Sequence, residues 1–187
     1  MGENTAENST MNVTVFDTET TGLIDNPARK LEKQPEIVSI AIQNINLATG
    51  ELGGEYYQMF KPTRPIPQDV TKIHGITNEM VENSPSIELA LSYIIGTLEM
   101  SQLIIGQNIS FDKSMVELEC KRYNRSIKWP KTMDLVENSI FTKGYRLSLT
   151  NLHMELFGTN FDSAHRANVD VLITAKCATE MFRRGWL

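Results

Sequence analysis

Val13-Thr14-Val15-Phe16-Asp17-Thr18-Glu19-Thr20-Thr21-Gly22 is the stretch whose reading decides the fold. Val13, Val15 and Phe16 are β-formers with little polar interruption, so the segment begins as a strand. It ends in two carboxylates one residue apart. Alternate residues of a strand share a face, so Asp17 and Glu19 aim at one point. Gly22 then lets the backbone turn away. Two like charges so placed are held together cheaply only when protonated, solvated or bound to a cation. A lone pair of this kind is usually a strand running into a polar turn; this one has company further along.

The 187 residues, 41% of them hydrophobic, suit a single domain with a substantial core. A formal net charge of −5 provides no global basic field for holding long nucleic acid, so any such contact is local or carried by metal ions. Cys120 and Cys177 fall in helical segments and read as reduced packing residues, not as a disulfide or a metal cluster. No apolar run approaches a membrane span, and the N-terminus lacks the basic-then-apolar layout of a signal peptide. The expectation is a cytoplasmic protein with no membrane partner. Residues 1–10 are polar and aperiodic and read as a disordered lead-in, with Met11 as the functional start and 11–187 as one domain.

After the first strand, residues 24–35 read as a loop. Residues 36–45 alternate, with Val38, Ile40 and Ile42 on one face and Ser39, Ala41 and Gln43 on the other, which predicts a second strand. A turn at Ala48-Thr49-Gly50-Glu51 joins it to a third strand over 56–60, making an antiparallel hairpin. Three prolines between Lys61 and Pro67 break the pattern. A short helix over 68–73 ends at Gly75, and Thr77 or Asn78 caps another. Ser84-Pro85 opens an amphipathic helix with Ile87, Ala90, Leu91, Ile94, Ile95 and Leu98 on its stripe. Leu103-Ile104-Ile105-Gly106 is a short buried strand. Ser110 caps a helix marked by Phe111, Met115 and Leu118; residues 131–135 form one more strand; 147–157 is helical up to Gly158. The last helix spans 167–182 and packs Val171, Leu172, Ala175, Ala178 and Phe182. This order gives an α/β or α+β layered domain with a mixed sheet.

Two later segments carry acids in similar positions. Asp112, in Gly106-Gln107-Asn108-Ile109-Ser110-Phe111-Asp112, falls in the first turn of a helix, where a negative charge already suits the dipole. Ala164-His165-Arg166-Ala167-Asn168-Val169-Asp170 opens the last helix, and Asp170 adjoins its buried stripe, where a charge needs a partner or a cation. Together these are four acids and a histidine at strand ends and helix starts. Carboxylate oxygens suit Mg²⁺ or Mn²⁺. Two such ions about 4 Å apart clamp the attacking and leaving oxygens of a phosphodiester, and a histidine titrating near neutrality takes the proton from an attacking water.

At this point the sequence resembles the DEDDh 3′–5′ exonucleases, which include the proofreading epsilon subunit of bacterial DNA polymerase III, RNase T and oligoribonuclease. Three motifs match in order: Val15-Phe16-Asp17-Thr18-Glu19-Thr20-Thr21-Gly22-Leu23, then Asn108-Ile109-Ser110-Phe111-Asp112, then His165 with Asp170. Ile73-His74-Gly75-Ile76-Thr77 resembles a further family segment. The resemblance covers nearly the whole chain, from Asn12 to Phe182. It implies an RNase H-like α/β fold with a central mixed five-stranded sheet flanked by helices. It implies that Asp17, Glu19 and Asp170 bind one metal, that Asp17 bridges to a second, and that Asp112 acts on the second largely through water. His165 is then the general base. His74, Gly75 and Ile76 lie along the terminal nucleotide, Thr18 and Leu23 supply backbone and apolar contact to it, and Asn108 braces the site or touches substrate.

Many family members carry His-Asn where this chain has Gln107-Asn108; glutamine still hydrogen-bonds but carries no proton charge. Lys128-Trp129-Pro130 and Thr132-Met133-Asp134 resemble phage- and virus-encoded members. The resemblance implies two divalent ions, Mg²⁺ or Mn²⁺, and release of nucleoside 5′-monophosphates from a 3′ end, with DNA favoured over RNA and a DNA polymerase as a possible partner. Two alternatives stand beside it: the same chemistry on RNA, and a non-catalytic polymerase- or nucleic-acid-binding module. Lys121, Arg122, Arg125, Lys128 and Lys131 form a local basic cluster that either guides a strand or is a solvated face. His153 reads as an ordinary helix-face residue.

Overall fold

The computed structural model describes residues 12–24, 30–138, 144–161 and 165–187. The lead-in expected at 1–10 lies outside the described residues, as do 25–29 of the expected loop. Five strands form one mixed sheet: β1 (Asn12–Thr20), β2 (Ile37–Asn46), β3 (Leu52–Met59), β4 (Leu103–Gly106) and β5 (Lys131–Asp134). Their order across the sheet is β3-β2-β1-β4-β5. The pairs β1–β2 and β2–β3 are antiparallel, and β1–β4 and β4–β5 are parallel. Thus β1 is where pairing direction changes, and its C-terminal end lies beside that of β4.

Among the described residues the helices include α1 (Gln68–His74), α2 (Asn78–Val81), α3 (Ile87–Glu99), α4 (Ile109–Arg122), α5 (Leu149–Phe157) and α6 (Ala167–Arg183). They cover both faces of the sheet. On one face Val13 and Val15 of β1 pack with Ala41, Ile45 and Ile105 against Leu152 and Leu156 of α5 and Val171, Ala175, Cys177, Ala178 and Met181 of α6. On the other, Phe16 joins Ile40, Ile42 and Ile104 against Leu91, Ile94 and Leu98 of α3 and Met115, Val116 and Cys120 of α4. The strict alternation along β1 therefore puts Asp17 and Glu19 on the α5/α6 face and Thr18 on the α3/α4 face.

Several predicted boundaries shift. The hairpin's second strand begins at Leu52, which pairs with Ile45; Gly53 and Gly54 follow where the register shifts, and their missing side chains hide the strand pattern. Ser86, not Ser84, caps α3 by accepting from the Glu88 N–H. Ser110 lies inside α4; the cap position is Asn108, which adopts the left-handed conformation at φ 54° that asparagine tolerates. The helix over 147–157 starts at Leu149, with Ser148 accepting from the Asn151 N–H. In α6, Leu172 and Phe182 are 39% and 37% exposed, and Thr174, Cys177 and Met181 take the buried positions. His153 is buried rather than surface-facing, its Nδ1 bonded to the Thr159 carbonyl at 2.7 Å. Both cysteines are free and buried in helices, as expected.

Candidate active site

The sheet delivers Asp17 and Glu19 at the C-terminal end of β1, and α6 runs back along the same face so that its first turn brings Asp170 to them. One carboxylate oxygen from each of these three residues lies within 4.8 Å of the others. Asp112 arrives from the opposite face, in the first turn of α4. Its Oδ1 accepts two hydrogen bonds from Thr18, at 2.9 Å from the backbone N–H and 2.6 Å from the hydroxyl. Thr18 therefore ties the fourth acid to the strand that carries the first two.

The turn between β4 and α4 is tight because Gly106 allows it: a β-carbon there would stand 2.5 Å from Cδ1 of Ile109. Asp134, paired with Gly106 across the sheet, accepts from the Ile109 N–H with one oxygen and from Val136 and Glu137 with the other. It fixes the start of the helix that holds Asp112. At the other end of the site His165 has φ 67°, a conformation that non-glycine residues adopt at some strain, and its N–H donates to Asp170 Oδ2 at 2.9 Å.

Electrostatics follow from this crowding. Desolvation, then the charges of Asp112, Glu19 and Asp170, hold the Asp17 carboxyl well above its usual range. Desolvation and then Asp170 and Asp112 raise Glu19 to about 8. Asp112 rises to about 7 through burial, against the lowering hydrogen bonds of Thr18. Asp170 is raised by burial, opposed by its bonds to the His165 and Arg166 N–H groups and by His165 itself. Asp170 Oδ1 is buried and lacks any hydrogen-bond partner among the described residues. Clustered carboxylates destabilised as anions, one with an orphaned oxygen, are the donor set a hard divalent cation would satisfy.

A cavity of about 380 Å³ is lined by all four acids, by His165, and by Thr18 and Asn108. Gln107, Phe111, Ser148, Leu149, Thr150 and Phe161 complete its wall. Leu23, His74, Gly75 and Ile76 do not line it. Leu23 is 82% exposed at the end of β1, whereas Ile76 packs with Val38, Ile66 and Val81. His74 is buried; its Nδ1 accepts from the Ile76 N–H, so its Nε2 bears the proton and donates to the Thr20 carbonyl at 3.2 Å. Gly75, at φ 75°, ends α1 in the left-handed conformation that lets this bend close. The helix cap Ser148 and the loop residue Phe161 were missed in the sequence. Ser148 carried a readable signal, a serine three residues before an amide it can cap; Phe161 carried none.

Residues 14–178 match the profile of the exonuclease family. The chain belongs to the exonuclease family. This exonuclease is 32% identical over 193 residues to the DNA polymerase III subunit epsilon of Buchnera aphidicola, covering 95% of this chain and 81% of that protein. It is 33% identical over 174 residues to the PolC-type DNA polymerase III of Thermotoga petrophila, covering 91% of the chain but 12% of the relative. The exonuclease thus spans a small fraction of the PolC-type proteins it matches. In fold it resembles the nuclease domain of 3′hExo, a DEDDh family member solved with rAMP, at a TM-score of 0.76, 16% identity and 96% coverage of each chain. Exonuclease X in complex with 5′ overhanging duplex DNA aligns at a TM-score of 0.66 and 24% identity, with 94% of each chain covered. The expected RNase H-like architecture is present, with its five-stranded mixed sheet. Among the described residues no helix is long and apolar enough to cross a membrane.

Proposed function

We propose that this chain is a divalent-metal-dependent 3′–5′ exonuclease that hydrolyses the terminal phosphodiester of DNA at single-stranded or frayed ends and releases nucleoside 5′-monophosphates. The observation that carries this reading is the meeting of Asp17, Glu19 and Asp170 within 4.8 Å, in a cavity that Asp112 and His165 also line. Two Mg²⁺ or Mn²⁺ ions, when bound, supply charge neutralisation at the scissile phosphate and at both the attacking and leaving oxygens. Asp17, Glu19 and Asp170 would hold the metal through their carboxylate oxygens, which the fold brings within 4.8 Å of one another. Asp112, oriented by Thr18, would serve a second ion from the opposite wall of the cavity. His165, held beside Asp170 by its own N–H, accepts the proton of the attacking water.

Thr18 and Asn108 face the bound strand inside the cavity. Leu23 and the His74-Gly75-Ile76 bend stand outside it as the wall beside the terminal nucleotide, the bend held to β1 through the Thr20 carbonyl. Likeness to polymerase III subunits supports DNA as the preferred strand and a DNA polymerase as partner. The test uses 5′-labelled single-stranded DNA, mismatched duplex DNA and single-stranded RNA of matched sequence, with Mg²⁺, Mn²⁺ or EDTA. A ladder shortening from the 3′ end, fastest on DNA and lost with EDTA, is the expected result. A faster RNA ladder would reassign the substrate, and no ladder on any strand, with no Mn²⁺ binding by calorimetry, would leave a non-catalytic binding module.

A further inference from the structure

We propose that Tyr145 and Arg146 form a binding subsite for single-stranded nucleic acid at the rim of the acid cavity, with Arg146 taking the phosphate next to the scissile one and Tyr145 stacking on a base. This rests on the nuclease reading above and adds two residues to it. The chain reaches the cavity wall at Ser148, Leu149 and Thr150. Leu147, immediately before them, is 7% exposed and anchored in the core. Tyr145 and Arg146 precede that anchor and lie at the surface, Tyr145 with 59% of its area exposed. A guanidinium nitrogen of Arg146 donates to Asn108 Oδ1 at 3.3 Å, and Asn108 itself lines the cavity. Asn108 is a firm base for that contact, because the next N–H, that of Ile109, is held by Asp134.

Arg122, the last residue of α4, shows by contrast why Arg146 is available. Arg122 spends its guanidinium on Glu119 at 2.6 Å and on the carbonyls of Leu31, Gln34 and Pro35, and is a structural clamp rather than part of a strand-guiding surface. Arg146 has one long neutral hydrogen bond and, among the described residues, no carboxylate partner. A strand entering a cavity of four acids is repelled by them, and in a chain of net charge −5 a cation at the rim offsets that locally. Lys113 stands in α4, the helix that Asn108 caps, with Nζ 3.4 Å from Thr132 Oγ1 of β5. An exposed aromatic beside an arginine is the combination that holds single strands without reading sequence: π-stacking on any base and charge on its phosphate.

The test is fluorescence anisotropy with a 5′-labelled deoxythymidylate hexamer in Ca²⁺, titrated at several salt concentrations, beside the 3′-end ladder assay on wild type. Tyr145→Ala weakens binding by about 10-fold, and Tyr145→Phe restores it, as stacking requires. Arg146→Ala also weakens binding and lowers the slope of log affinity against log salt by about 0.7, the value for one single-strand phosphate contact; Arg146→Lys restores the slope. Melting curves establish that each variant is folded, and Arg146→Gln replaces Arg146→Ala if the latter is not. A wild type that shortens strands while all variants bind within twofold of it, with unaltered slopes, overturns the subsite and leaves the nuclease standing. A wild type that neither binds nor shortens any strand overturns both.

Discussion

Asp112 and Asp170 approach the same cavity from opposite faces of the sheet, and the protein treats them differently. Asp112 is 3% exposed, and its Oδ1 is saturated by the Thr18 N–H and hydroxyl. Asp170 has one oxygen bonded to the His165 N–H and the other buried with nothing to accept from among the described residues. The first carboxylate is placed by the protein alone. The second is left with an open valence at the point where Asp17 and Glu19 converge. A buried polar atom without a partner is destabilising unless something fills it, so the orphaned oxygen on the α6 side is where an added cation would stabilise most, whereas Asp112 is already held by Thr18.

The sharpest way to break this contrast is Asp17→Ala or Asp170→Asn. Either should lower cleavage by about 10³-fold or more, since each removes a proposed metal ligand and with it several kcal/mol of charge stabilisation, and calorimetry should show Mn²⁺ binding lost. Wild-type cleavage by Asp170→Asn would end the distinction between the two faces. Next, His165→Ala should slow cleavage by about 10²- to 10⁴-fold with Mn²⁺ binding retained; full-rate cleavage near pH 8 would remove His165 as the base.

Glu19 and Asp112 hold protons in the folded state up to about 8 and about 7, above the values they have when unfolded. Across the interval between the unfolded and folded values the native state binds more protons, so stability falls as pH rises. Metal-free protein should therefore melt at progressively lower temperature from pH 5 to pH 8, and Mn²⁺ should flatten that decline. A metal-free melting temperature that rises over this range would contradict the burial described for these acids. A smaller effect is expected from Thr18→Val, which takes the 2.6 Å hydroxyl donor from Asp112 and leaves the N–H. Urea unfolding should show a loss of about 1–3 kcal/mol, with a weaker apparent metal dependence of cleavage. Leu172→Gln, on the exposed side of α6, should change stability by no more than about 0.5 kcal/mol.

What could be read in the sequence was what short-range periodicity records. Alternation in β1 placed Asp17 and Glu19 on one face, and the burial of Val13 and Val15 on that face confirms the register. Gly75 and Gly158 marked helix ends because both need the left-handed backbone. The α6 stripe drifted: its apolar spacing pointed to Leu172 and Phe182, while the small residues Thr174 and Cys177 fit closer to the sheet. Asn108 was passed over as a cap because its side chain makes no capping bond; only its backbone does the work. Arg122 looked like a surface cation because its carbonyl partners lie 87 to 91 residues away in sequence. Arg146 carried no signal for the same reason, its bond to Asn108 joining residues 38 apart in sequence.

The two buried cysteines have a practical meaning. Cys120 sits in the core on the α4 side of the sheet and Cys177 in the core on the α6 side. Burial pushes their thiols up to about 11 and about 12, so in the closed protein both are unreactive. Each becomes modifiable only when its own layer opens. The chain thus carries one native reporter per layer, and the rates of thiol labelling at the two positions, with and without Mn²⁺, separate loosening of the layer that carries Asp170 from loosening of the layer that carries Asp112.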